Sequence, residues 1–295
     1  MLSMETTVYG KTIIAGEHAV LRGCPSLVFP VFARELNLKY EDTGAPLSVT
    51  LSGSHGQELK LLFWGVIERA CEMLNVSRDE MRGHFAIESS IRVGAGMGAS
   101  AALCVGVGRW FEWKKLVSSE ELPEFCRQLE NLFHGESSGL DIAVALSGQG
   151  LRYVRGGERT PITLAWKPNW FISYSGKRGV TSECIQKVRV LSEANPTYAL
   201  SIDEQMKQAV LLAESALMAP KSEASLDKLA LALNQARSCF NEWGLAGGEM
   251  GVHLEDLIKA GAIAVKPNGS GDGGFVLSLW RSAPPDSLQS SLIPL

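Results

Sequence analysis

Residues 99–108, ASAALCVGVG, carry no charge and are apolar on every side of a helix. A helix of that kind has no face to offer water, so it has to lie at the centre of a domain. The helical pattern runs on to Leu116, with Lys114 and Lys115 in the last turn, where cations are favoured. It begins directly from a glycine-rich loop, since residues 91–103 read IRVGAGMGASAAL and a strand-like run at 84–88 precedes them. Gly94, Gly96 and Gly98 allow a tight turn whose N–H groups converge, and the helix start adds partial positive charge. Together these form a cradle suited to a phosphate. The dinucleotide spacing GxGxxG is not met and the P-loop GxxxxGK[ST] is absent. On the residues alone, a strand-to-helix turn with spare glycines accounts for the segment equally well.

Two further segments have the makings of chemistry. Residues 130–144, ENLFHGESSGLDIAV, place Glu130 late in a helix and Asp141 just after a turn bracketed by Gly135 and Gly139. Two carboxylates on different backbone elements suit a metal-assisted transfer, one for a divalent cation and one for a proton. The plainer alternative puts Glu130 on a solvated helix face and makes Asp141 the N-cap of a helix beginning at Ile142. Residues 266–280, KPNGSGDGGFVLSLW, set Gly269, Gly271, Gly273 and Gly274 between two strand-like runs. A hairpin needs only one or two glycines, so four in six residues imply close backbone approach.

Around these segments the periodicity predicts helices at 61–76, 119–134, 181–194, 201–219 and 225–243. It predicts strands at 12–15, 26–32, 47–51, 151–154, 171–174, 262–266 and 275–280. No 20–50-residue repeat is present, which excludes a solenoid or propeller. The mixture predicts an α+β protein of two domains, 1–168 and 169–295, joined near the stretch ERTPITLAWKPNW. With 28 Lys and Arg against 32 Asp and Glu, the chain has no electrostatic footprint for nucleic acid. No apolar stretch reaches the ~18 residues of a membrane span, and the N-terminus lacks the pattern of a signal peptide. The expectation is a cytoplasmic protein with neither nucleic-acid nor membrane partner. Six scattered cysteines without a CxxC pair read as free buried thiols, with no zinc cluster among them. Oligomeric state, a homodimer included, has no readable signature.

The three segments, in this order and together with GKTIIAGEHAVLRGCPSL near the N-terminus, resemble the GHMP kinases over nearly the whole chain. Within that family the likeness is to the mevalonate kinases. Lys11, Gly16, Glu17, His18, Ala19, Val20 and Gly23 match their first motif. Gly94, Gly96, Gly98, Ser100, Ala101 and Ala102 match the phosphate loop. Glu130, His134, Gly135, Ser138, Gly139 and Asp141 reproduce a Glu followed by an HGxPSGxD-like segment whose Asp falls eleven positions after the Glu. YSGKRGVTSE resembles a segment that places Thr181 near the substrate.

The resemblance implies a two-lobed fold, with an N-terminal lobe like ribosomal protein S5 domain 2 and a ferredoxin-like C-terminal lobe. It implies phosphorylation of the primary hydroxyl of mevalonate by ATP with Mg²⁺. Gly94, Ala95, Gly96, Met97, Gly98, Ala99, Ser100 and Ala101 would cradle the nucleotide phosphates. Ser100 and Glu130 would hold the Mg²⁺. Asp141 would take the substrate proton, with Lys11 beside it. Glu17, His18, Thr181 and Gly271 would bind substrate.

The chain departs from the family pattern at several positions. Val93 replaces a proline, Ala99 the first serine of a pair, and Ser137 a proline whose loss is expected to loosen its turn. Asp272 stands where mevalonate kinases carry glycine, and a carboxylate near phosphates is repulsive unless it turns away or meets a cation. KPNGSGDGG also resembles phosphomevalonate kinases, which need a basic cluster for a second phosphate; Lys177, Arg178, Arg152 and Arg155 are the candidates. Phosphomevalonate, homoserine and sugar kinases are therefore the alternatives. A kinase-like protein without turnover would be expected to lack Lys11, Glu130 or Asp141, and all three are present.

Overall fold

The computed structural model describes residues 2–135 and 137–295, the His134 side chain excepted. In chain order the elements are β1 (Ser3–Ala15), β2 (Ser26–Pro46), β3 (Ser48–Ser52), α1 (Lys60–Leu74), β4 (Arg82–Ser89), α2 (Ala99–Trp113), α3 (Leu122–His134) and α4 (Leu140–Ser147). There follow β5 (Leu151–Tyr153), β6 (Arg159–Pro161), β7 (Asn169–Tyr174), α5 (Thr181–Ala194), α6 (Pro196–Met218), α7 (Glu223–Glu242), α8 (Gly248–Lys259), β8 (Ala264–Pro267), β9 (Phe275–Trp280) and β10 (Ile293–Pro294). The chain divides into two compact units, and neither is one stretch of sequence. The first comprises the residues up to Gly10, Arg34–Val93 and Gly98–Gly148; the second comprises Lys11–Ala33, Gly94–Met97 and everything from Gln149 onward.

In the first unit, β4 lies between β3, to which it runs parallel, and the second half of β2, to which it runs antiparallel. Phe85 and Ile87 of β4 alternate inward with Leu36, Leu38 and Tyr40 of β2. The apolar helix expected at 99–116 is α2, buried from Ala101 through Gly108. Its close packing depends on glycine: a Cβ on Gly108 would fall 2.4 Å from Cys126 Sγ of α3. Trp110 closes the core against Tyr40, Phe85 and Phe111, with ring centroids 4.7–5.2 Å apart.

In the second unit, β7, β8, β9 and β10 form an antiparallel sheet in the order β10-β7-β9-β8. The helices α7 and α8 pack on β8, and α6 pairs with α7. The first half of β2 pairs with β5, and β5 with β6.

Several elements extend or add to those expected. The strands β1 and β2 run well beyond 12–15 and 26–32; in β2 the polar residues of ARELNLKYED alternate outward with buried Leu36, Leu38 and Tyr40. The helix α8 has no counterpart among the expected helices; buried Met250, Leu254 and Leu257 hold it in place despite three glycines at its start. No described helix is long and apolar enough to cross a membrane. All six cysteines are free, five of them buried and Cys24 half-buried.

Candidate active site

The first unit supplies a carboxylate, a hydroxyl and an acid in the first turn of a helix. Glu130 is buried at 2% exposure and is not on a solvated face. The hydroxyl of Ser137 donates to Glu130 Oε2 at 2.5 Å and accepts from the Gly139 N–H at 3.0 Å. The Asn131 side chain accepts from the Ser137 N–H at 2.8 Å. The serine that stands in place of proline thus ties the turn to Glu130.

Glu130 lies one helical turn beyond Cys126, whose Sγ donates to the Cys104 carbonyl at 3.6 Å; Ser100 lies one turn before Cys104. The Glu130 charge also adds to burial in raising the Cys104 thiol well above its ordinary pKa. Glu130 and Ser100 thus sit on facing stripes of α3 and α2. A carboxylate and a hydroxyl are hard oxygen donors and fit Mg²⁺, which takes few protein ligands and completes its shell with phosphate and water. Asp141 lies inside the first turn of α4, behind Gly139 at φ +79°, so it is not the N-cap of a helix starting at Ile142.

The second unit holds a different set of groups. Lys266, in fully buried β8, donates to the Ile13 carbonyl at 3.1 Å and forms an ion pair with Glu17 Oε1. Its ammonium lies 5.4 Å from the Phe240 ring. Burial pushes the Glu17 carboxyl up and the Lys266 ammonium down in pKa, and each charge offsets the penalty on the other. Glu17 Oε2 is buried with no hydrogen-bond partner among the described residues. His18, at φ +57°, packs edge-on against Trp243 and Phe240. Its Nε2–H donates to the Ser270 carbonyl at 2.9 Å, which leaves Nδ1 as an acceptor.

Burial lowers the His18 pKa from 6.5 to about 4, so the ring is neutral at pH 7. An unfolded chain takes up a proton there below pH 6.5 that the folded chain refuses until about pH 4. Stability is accordingly full above pH 6.5 and falls as pH drops toward 4. Urea midpoints across that window should fall more steeply for the wild type than for His18→Gln.

Ser270 also donates to the Thr181 hydroxyl at 3.4 Å, and the Gly271 carbonyl accepts from Cys184 Sγ at 3.4 Å. Glu17, His18, Thr181 and Gly271, expected to share a substrate, are thus brought together around Lys266 and Ser270. The same glycine segment supports the start of the phosphate loop. Asn268 Oδ1 accepts from the Ile13 N–H at 2.8 Å and the Thr12 hydroxyl at 3.1 Å. The Phe275 N–H donates to the Ala95 carbonyl at 3.1 Å, and the Lys11 N–H to the Met97 carbonyl at 2.9 Å. Gly96 sits at φ +81°, where a Cβ would fall 2.9 Å from the Asn268 carbonyl. Lys11 is buried at 5% exposure beside this loop. Of the loop residues, Gly94–Met97 belong to the second unit, and Gly98, Ala99, Ser100 and Ala101 to the first with Glu130 and Asp141.

Residues 62–149 match the family model described as GHMP kinases N terminal domain. A mevalonate kinase of Pyrococcus horikoshii is 30% identical over 295 aligned residues, covering 91% of this chain and 86% of the relative. The chain belongs to the mevalonate kinase family of GHMP kinases. The mevalonate kinase of Aeropyrum pernix is 27% identical over 92% of this GHMP kinase and 87% of its own length. The fold agrees with that of L. major mevalonate kinase in complex with R-mevalonate (TM-score 0.81, 20% identity, covering 98% of this chain and 89% of that one). It also agrees with Streptococcus pneumoniae phosphomevalonate kinase (TM-score 0.73, 16% identity, 95% and 93%).

Sequence reading of this kinase missed Lys266 and Asn268 as members of the polar cluster. A lysine inside the apolar run AIAV-K-P was the available signal, because a buried ammonium requires a buried anion. It also missed Asp203, which grips Arg22 through two 2.5 Å bonds and fixes the turn that follows His18. Nothing local links positions 22 and 203.

Proposed function

We propose that this kinase transfers the γ-phosphoryl group of ATP to the primary hydroxyl of mevalonate, giving 5-phosphomevalonate and ADP. The observation that carries this reading is the buried polar cluster of the second unit. There Glu17 offers an unpartnered oxygen to a substrate hydroxyl and a neutral His18 offers an acceptor nitrogen. The relatives of near-full-length coverage supply the substrate's identity.

In this reading residues 1–168 and 169–295 act as the family's two lobes. Loop amides from Gly94 to Ala101 would hold the phosphates, and Ser100 and Glu130 would hold Mg²⁺, which when bound supplies charge neutralisation. The substrate oxygen bonds to the γ-phosphorus, the bond from that phosphorus to the bridging oxygen of ADP breaks, and Asp141 takes the hydroxyl proton. Lys11 offsets the charge that develops.

ADP release with Mg-ATP is the test, against mevalonate, 5-phosphomevalonate, homoserine and galactose. Saturable turnover on mevalonate alone is the expected result, and turnover on another alcohol with none on mevalonate overturns the reading. Ser100→Ala should raise the Mg²⁺ concentration needed for half-maximal rate several-fold while leaving the circular dichroism spectrum unchanged. A phosphomevalonate kinase is disfavoured because three of the four basic candidates are engaged within the chain. Arg152 is paired with Glu214 at 3.3 Å, Arg155 donates to the Leu21 carbonyl at 3.2 Å, and Lys177 is paired with Asp272 at 3.0 Å.

A further inference from the structure

Asp272 is the one acidic residue in the third glycine segment, and two lysines distant in sequence converge on it. Lys177 Nζ donates to Oδ1 at 3.0 Å, and Lys187 Nζ, from α5, donates to Oδ2 at 2.7 Å. Both carboxylate oxygens are thereby taken. The backbone is built for this arrangement. Asp272 occupies the left-handed region at φ +53°, and its N–H donates to the Leu245 carbonyl at 2.7 Å. The neighbouring Gly274 N–H donates to the Lys177 carbonyl at 2.7 Å. A Cβ on Gly273 would fall 2.9 Å from the Arg178 carbonyl. The Arg178 guanidinium in turn lies against Gly94 of the phosphate loop, so close that a Cβ there would fall 2.1 Å from Nε. The lysine pair therefore belongs to the same knot of loops as the start of the phosphate cradle.

Two ammonium groups converging on one point form a site for a doubly charged oxyanion such as a phosphomonoester. Here a carboxylate of the chain itself fills that point, and hydrogen bonds from Lys187 and Lys177 hold it ionised, below the usual carboxylate range. We propose that Asp272 is a substrate-selecting counter-ion: it fills the anion site that Lys177 and Lys187 form, and so keeps phosphorylated alcohols out. The alcohol kinase reading predicts this need, since its product is a phosphomonoester of its substrate. Retention of that product would slow turnover.

The proposal rests on that reading, but direct binding tests it without catalysis. Calorimetric titration with 5-phosphomevalonate, and separately with inorganic phosphate, is carried out at low ionic strength on the wild type, Asp272→Gly and Asp272→Asn. Glycine and asparagine both tolerate the left-handed backbone, so both variants are expected to fold. The expected result is at least tenfold tighter binding of 5-phosphomevalonate in both variants. Adding Lys177→Met and Lys187→Met to Asp272→Asn should return it to the wild-type value.

Equal affinity in the wild type and both variants overturns the proposal, as does a gain that survives removal of the lysines. A gain for inorganic phosphate without one for 5-phosphomevalonate shows an anion site that does not read substrate, and overturns it too. Failure of the alcohol kinase reading would appear separately, as absence of wild-type turnover on mevalonate.

Discussion

Asp141→Asn should lower turnover by ~10²-fold or more while leaving ATP affinity within a few-fold of the wild type. The substitution keeps the size and planarity of the side chain but removes the carboxylate proposed to accept the substrate proton. Asp141 is fixed by structure the change does not touch. Gly139, at φ +79°, turns the chain into α4, and Ser137 ties that turn to Glu130. The phosphate cradle proposed above uses other residues, so nucleotide binding should survive. Single-turnover rates with saturating ATP and mevalonate, read beside equilibrium nucleotide binding, separate the two effects. Near-wild-type turnover would remove Asp141 as the base; loss of ATP binding would make its role architectural.

The second large effect concerns the buried pair of Glu17 and Lys266. Lys266→Met would leave a carboxylate at 2% exposure without its cation, and Glu17→Gln would leave an ammonium at 0% exposure without its anion. Breaking a buried pair from one side costs about 3–5 kcal/mol, since the remaining charge has lost both water and partner. For a chain of this size that corresponds to a fall in thermal midpoint of roughly 10 °C. The double variant Glu17→Gln with Lys266→Met removes both charges and should regain most of the stability, which a double-mutant cycle reads as strong coupling. It should not regain activity, because the double variant lacks the Glu17 oxygen proposed to bind the substrate. Recovery of mevalonate turnover in the double variant would refute the substrate role of Glu17. Additive losses would refute the pairing.

Some of this could be read from local chemistry. An uncharged stretch at 99–108 could only become a central helix, and α2 is one. The helix at 181–194 and the strand at 275–280 appear with the bounds their periodicity implied. Glycines at 94, 96 and 98 announced a turn, and all three lie at positive φ. The spacing from Glu130 to Asp141 announced a pair of carboxylates, whose residue types and order in the chain are matters of sequence alone.

The partners of those residues come from long-range closure. Glu17 meets Lys266 across 249 positions, His18 meets Ser270 across 252, and Asp272 meets Lys177 and Lys187 across 95 and 85. A sequence states which charges exist, but the cost of each depends on what burial strips away and what packing returns. Asp272 shows the difference most directly. In the sequence it is a carboxylate among glycines, unfavourable beside phosphates. In the folded chain two lysines neutralise it, because the β7–α5 connection and α5 bring both onto the loop that precedes β9. Composition and local pattern determined the helices, the glycine turns and the kinds of chemical group available. Tertiary structure alone decided which charges were paired and which polar atoms were left for a ligand, because electrostatic energies depend on distance and solvent exposure, not on position along the chain.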